Sequence, residues 1–263
     1  MPAASLRTFT GLVALGLLGG CAAVPAPGPT MTTSASPPVA PKGFVFVVDG
    51  AGGQPEATRV IAKAVKESGT PLLVQTFGWT HGAGLGVNDM TDVEYAQAQG
   101  RVLAAHIAAV RASSPNLPIY VLAYSAGTHV ALEATRCLEP DSLERIVLLA
   151  PAVSADYDLR PALFAARGGI DVFSSKRDRF YLGLGPRLVG TADGKFFVPP
   201  AGRVGFDPPA LSAAEAALAS RLRQHPWDSS VAWTGNQGAH AGTLNTTYFR
   251  TYVMPLLLPT SER

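Results

Sequence analysis

The sequence predicts an α/β fold: a mostly parallel, doubly wound sheet, compact and without a large cap domain. Three observations predict it. Five short, continuously apolar runs recur from Gly43 onward, the connections between them carry turns and helical stretches, and no internal repeat accompanies the pattern. Strands that are apolar on both faces belong to sheets covered on both sides, and alternation with helices makes such strands parallel. The lack of a repeat excludes a solenoid.

The first run is Phe44 to Val48, followed by the turn "DGAGG" and a helix near Pro55 to Glu67. Leu72 to Phe77 is the second, leading through "GWTHGAGLGVND" to a long helix from about Val93 to Arg111. Ile119 to Tyr124 is the third, with its helix from Ala126 to about Leu138. The fourth, Ile146 to Ala150, and the fifth, Ile170 to Phe173, enclose "DYDLRPALFAARG", room for one helix and no cap. Beyond Phe173 the pattern loosens. Gly183 to Pro209 reads as a Gly- and Pro-rich excursion with a short strand at Phe196 to Val198. Leu211 to Arg223 reads as a helix, Ser229 to Thr234 as a strand, and Tyr248 to Leu258 as a closing helix interrupted by Pro255.

At 263 residues, 47% apolar and 15% charged, the chain has enough apolar content for a sizeable core. A net charge of +2 without a dense Lys/Arg run excludes a nucleic-acid partner. The glycines of "DGAGG" lack the last glycine of a dinucleotide fingerprint, and no Gly-Lys-Ser/Thr follows, so no nucleotide cofactor is expected.

The N-terminus stands apart from the fold. Arg7 precedes an apolar stretch from Phe9 to Leu18, too short to span a bilayer, and then comes Leu18-Gly19-Gly20-Cys21. This ending resembles the lipobox of bacterial lipoproteins. The resemblance implies a signal peptide over residues 1–20, acylation of Cys21 and a membrane anchor at the bacterial cell envelope, the outer membrane favoured because Ala22 is not an aspartate. A secretory signal cut after Ala23 is the alternative. Residues 21–42, rich in Pro, Ala, Ser and Thr, read as a tether reaching at most about 60 Å at ~3.1 Å per residue. Residues 43–263 form the folded domain. Cys137, on the helix after the third strand, reads as a small buried apolar residue.

The stretch "PIYVLAYSAGTHVALEA" places Ser125 where a strand becomes a helix, with Ala123 two residues before and Gly127 two after. Small neighbours are needed where a strained serine brings strand and helix close together. The stretch resembles the Gly-x-Ser-x-Gly nucleophile elbow of the α/β-hydrolase family, with alanine in the first place. The resemblance implies a serine hydrolase acting on an ester or related acyl compound, small-molecule or lipid, and needing no cofactor or metal. It also implies the chain order serine, acid, histidine. Asp178, just past the fifth strand in "SSKRDRFY", is then the acid, with Asp171, Asp156 and Asp158 as competitors. His240, in the glycine-rich "GNQGAHAGTL", is then the base, with His225 in reserve. His106 and His129 lie inside helices, and His81 precedes the acid and lines the pocket at most. The N–H groups of Ala51 and Ala126 would form the oxyanion hole.

Asp49 stands where many members of that family have histidine, and is expected to turn its carboxylate away. Tyr124, Trp79, Trp227 and Trp233 are candidates for apolar pocket walls or for core. His81, Asp89 and Asp92 lack a recognised metal-ligand spacing, and the two aspartates fit helix capping better. A lipid-anchored binding protein that keeps the scaffold without catalysis is the competing reading.

Overall fold

A computed structural model describes residues 40–82, 84, 86–179, 190–207 and 216–258. The expected signal peptide and Cys21 lie outside the described residues. So does the tether apart from its last three residues, together with parts of the 183–209 excursion and of the 211–223 segment.

Six strands form one parallel sheet: β1 (Gly43–Val48), β2 (Leu72–Thr76), β3 (Ile119–Tyr124), β4 (Arg145–Leu149), β5 (Ile170–Ser174) and β6 (Leu222–Pro226). Their order is β2-β1-β3-β4-β5-β6, with every pair parallel. β3 and β4 are buried throughout, which is why their sequences run apolar without alternation. The connecting helices are α1 (Glu56–Ser68), the short α2 (Val87–Thr91) and α3 (Val93–Ser113), α4 (Gly127–Thr135) and α5 (Arg160–Ala165). α3 packs on α4 and α4 on α5, while α1 packs on the C-terminal segment around Phe249–Val253. Gly100 makes the α3–α4 approach possible, because a Cβ there would stand 2.7 Å from the Glu133 Cβ. No cap interrupts the passage from β4 to β5, where α5 is the one helix.

The chain reverses its winding between β1 and β3. Right-handed crossovers then place α1 on one face and α3, α4 and α5 on the other, and the crevice opens at the carboxyl ends of those two strands. Asp49-Gly50 leaves β1 there and Ser125 leaves β3.

The structure departs from the sequence reading chiefly after β5. β6 is not among the expected strands; its first two residues, Leu222 and Arg223, fall in the segment that reads as a helix. The described helix before it is only Ala216–Ala219. Residues Ser229–Thr234, expected as a strand, form a 3-10 helix whose start is capped by Asp228 accepting from the Ser230 N–H. No strand forms at Phe196 to Val198; this stretch belongs to a turn-rich loop laid along residues 151–155 by bonds such as Ala192 N–H to Ala152 O and Ala155 N–H to Pro199 O. The closing helix is broken into Thr246–Tyr248, a π-helical Phe249–Val253 and a 3-10 Met254–Leu257. Cys137 is exposed rather than buried, since α4 ends at Thr135 and the cysteine falls in the turn beyond it. Among the described residues no helix is long and apolar enough to cross a membrane.

Candidate active site

Ser125 sits at the tip of the β3–α4 turn with φ of 51°, a left-handed conformation unfavourable for a residue bearing a Cβ. Its backbone is held there from both sides. The N–H donates to Leu149 O at 2.9 Å, and the carbonyl accepts from Ala152 N–H at 3.2 Å and Thr128 Oγ1 at 2.6 Å. Gly127 follows because nothing larger fits: a Cβ would stand 2.3 Å from Asp49 O and 2.5 Å from Val48 O.

The structure brings the three candidate triad residues together. His240 Nε2 lies 2.9 Å from Ser125 Oγ, and His240 Nδ1 is hydrogen-bonded to Asp178 Oδ2. Asp178 is buried and His240 nearly so, so their pairing is little screened by water. The Tyr124 ring lies 5.2 Å from the imidazole.

The two loops carrying Asp178 and His240 are tied to each other. Ser175 Oγ donates to Gly238 O at 2.7 Å, and the Arg177 guanidinium stacks over Trp227 at 4.4 Å. Asn236, almost wholly buried, accepts from the Gly238 N–H at 2.9 Å, while Trp227 Nε1 donates to Asn236 O at 2.9 Å. Gly238 has φ of 81°, and a Cβ there would meet Ser175 Oγ at 2.8 Å. Ser175, Trp227, Asn236 and Gly238 thus hold the loop that carries His240, and the sequence alone does not single them out. The signal was present in the glycine spacing of "GNQGAHAG", since closely spaced glycines mark backbone that needs positive φ.

Asp49 turns away from the serine, as expected. Its Oδ1 accepts from the Ala57 N–H at 2.6 Å and its Oδ2 from Thr58 Oγ1 at 2.6 Å, at the start of α1. Burial raises its pKa above the ordinary value, with the Thr58 and Ala57 bonds opposing the rise. Trp79 is buried and donates from Nε1 to Asp49 O at 2.8 Å, so it braces the turn instead of lining a pocket. Ala126 follows Ser125, and Ala51 follows Gly50, where a Cβ would stand 3.3 Å from the Ser125 Cβ; among the described residues neither alanine N–H has an acceptor within the protein.

The competitors are engaged elsewhere. Asp171 is fully buried within β5, where Arg145, Arg223 and His225 all bond to it, His225 Nε2 at 2.8 Å. That contact removes His225 from contention as the base; it lies on β6, stacked on Phe173. Asp156 pairs with Lys195 and Asp158 with Arg160. His129 is buried beside Glu133, its pKa lowered first by burial, and His106 is exposed on α3. Trp233 is exposed.

Behind the His240–Asp178 pair lies a cavity of about 10 Å³, bordered by Trp227, Asn236, Thr243 and Tyr248 and large enough for no more than a water. Burial pushes the Tyr248 phenol there up to about 12. An open groove of about 520 Å³ passes Ala239 and Ala241, the neighbours of His240, over Val60 and Leu244 with Arg59 at its rim. Among the described residues no His, Cys, Asp or Glu cluster is arranged to hold a metal. His81, Asp89 and Asp92 are hydrogen-bonded instead.

No curated protein matches the sequence. A protein from Thermus thermophilus of solved structure aligns at 13% identity and a TM-score of 0.47, covering 84% of this chain and 91% of its own. An α/β-superfamily hydrolase from Xanthomonas campestris pv. campestris aligns at 13% identity and 0.43, covering 81% and 99%, and an esterase from Pyrococcus furiosus at 12% and 0.44, covering 82% of each. The sequence profile of the serine aminopeptidase S33 family matches residues 39–178, over half of the chain, and includes the β3–α4 turn and Asp178. The chain therefore belongs to this family of α/β-hydrolases.

Proposed function

We propose that the chain is a serine hydrolase that cleaves carboxylic esters through an acyl-enzyme. The observation that carries the reading is the hydrogen-bonded path from Ser125 Oγ through His240 to Asp178 at the carboxyl edge of the sheet. Ser125 Oγ attacks the acyl carbon while its proton passes to His240 Nε2, and Asp178 fixes the ring and stabilises the imidazolium. The carbonyl oxygen becomes an oxyanion received by the Ala51 and Ala126 N–H groups, where one such donor is worth about 3 kcal/mol. His240 then returns the proton to the departing alkoxide. A water next attacks the acyl carbon while His240 takes its proton, and as the bond to Ser125 Oγ breaks His240 returns that proton to the oxygen, releasing the acid and free Ser125.

The passage from β4 to β5 adds no cap over the serine, which favours an accessible site and an acyl substrate, small-molecule or lipid. In the same reading Cys21 is acylated and tethers the domain to the cell envelope, since one chain alone anchors only marginally and a lipoprotein cysteine carries several.

A fluorophosphonate probe tests the chemistry without a known substrate. The full chain is expected to be labelled at Ser125, and Ser125→Ala and His240→Ala to abolish the labelling. An ester panel run beside aminoacyl amides then separates esterase from peptidase action. A folded protein that takes no label would overturn the hydrolase reading in favour of a binding protein on the same scaffold. Incorporation of a labelled fatty acid, lost in Cys21→Ser, tests the anchor.

A further inference from the structure

The glycine-rich stretch between β2 and α3 contributes nothing to the triad, yet it lies against the oxyanion turn. A Cβ on Gly52 would stand 2.9 Å from Gly84 O, and one on Gly86 would stand 2.7 Å from both the Ala51 Cβ and the Gly52 N. The residue joining the two segments is Asp89. The sequence suggested a helix cap; instead its carboxylate is buried and reaches out of α2. Oδ2 accepts from the Gly52 N–H at 2.8 Å, and Oδ1 accepts from the His81 N–H at 2.8 Å and lies 2.8 Å from His81 Nδ1. The far side of the His81 ring is held by Tyr95 at 3.9 Å between centroids, with Asp92 Oδ2 3.5 Å from Nε2.

We propose that Asp89 is a positioning residue for the oxyanion hole, fixing the Ala51–Gly52 peptide and through the Ala51 Cα the peptide before it, so that the Ala51 N–H points at the oxygen that becomes charged. This rests on the hydrolase reading above. The turn leaves β1 anchored at Asp49, and without Asp89 its far side would be held by glycines alone, the residues with most backbone freedom. Oxyanion donors work because they are fixed before the reaction begins. Burial alone would raise the Asp89 carboxyl, but the bonds from Gly52 and His81 outweigh it and hold it below the ordinary value, so a full acceptor charge faces the turn. Asparagine cannot replace it: one carboxamide oxygen serves either Gly52 or His81, and its NH2 confronts the other donor.

The test measures kcat and KM on a p-nitrophenyl ester in the full chain, with wild type, Asp89→Asn and His81→Phe, and follows fluorophosphonate labelling and thermal unfolding in parallel. Asp89→Asn is expected to lower kcat by about 10- to 100-fold, with KM within about twofold and labelling slowed alongside. His81→Phe keeps the stack on Tyr95 and the backbone bond but loses the ring bond, and is expected to lower kcat by about 3- to 10-fold with KM unchanged. A folded Asp89→Asn with wild-type kcat overturns the proposal. If Asp89→Asn does not fold, wild-type kcat in His81→Phe overturns it instead. A wild-type enzyme that is neither labelled nor active overturns the hydrolase reading, and this proposal with it.

Discussion

The carbonyl oxygen of Asp49 would stand 2.3 Å from a Cβ on Gly127, so the turn that leaves β1 and the helix that follows Ser125 meet backbone to backbone. This contact sets the distance between the turn after β1 and Ser125. It also explains the glycine in "AYSAG", because neither of the facing carbonyls belongs to a side chain that can swing aside. Gly127→Ala is therefore expected to destabilise the fold by about 2–4 kcal/mol through overpacking. Thermal unfolding of the purified variant checks it, and an unchanged midpoint would refute the contact.

On the proposed mechanism Ser125 and His240 should behave as a unit. Ser125→Ala and His240→Ala are each expected to reduce ester turnover by on the order of 10⁴-fold or more, and the double variant to add almost nothing. His225→Ala, whose imidazole is bonded to Asp171 on β5, should leave turnover within about twofold of wild type. Steady-state rates on one ester settle both points.

Acid should act on stability through Asp171. Burial alone would raise its carboxyl, but the bonds from His225, Arg223 and Arg145 outweigh it and hold it far below the ordinary range. A carboxyl depressed in the folded state contributes stability above its unfolded pKa of about 3.9, which is lost as pH falls toward the folded value. Denaturant midpoints should thus drop as pH is taken below about 4. Asp171→Ala should remove that drop and cost about 3–5 kcal/mol at neutral pH, because two arginines are left without their shared partner.

Asp49 offers a milder test. Asp49→Asn keeps an acceptor for the N-terminus of α1 and relieves the burial of a charge, so its stability should stay within about 1 kcal/mol of wild type. Asp49→Ala leaves the Ala57 and Thr58 N–H groups without their carboxylate and should cost about 1–2 kcal/mol. Guanidinium titrations of the two variants provide the comparison.

The first five strands were legible because each is a short, predominantly apolar run, and Ser125 because small residues surround it where the pattern changes period. β6 was hidden for a physical reason. Arg223 and His225 are polar residues in a strand, stabilised by Asp171 on the neighbouring β5, and that partner lies 52 and 54 positions away. Local pattern carries no trace of a bond at such separation. Ser229–Thr234 misled in the opposite sense: Val231 and Trp233 have strand propensity, but the cap from Asp228 starts a 3-10 turn. Asp89 was read by its place at a helix start, whereas its carboxylate serves a turn 37 positions earlier.

The left-handed backbone at Ser125 sets stability against chemistry at one position. Glycine adopts that φ without the penalty a Cβ brings, so Ser125→Gly should yield a dead protein that unfolds at a higher temperature than the wild type. For robustness alone glycine would be the better residue at the tip of this turn, and the serine stands there at a cost in stability.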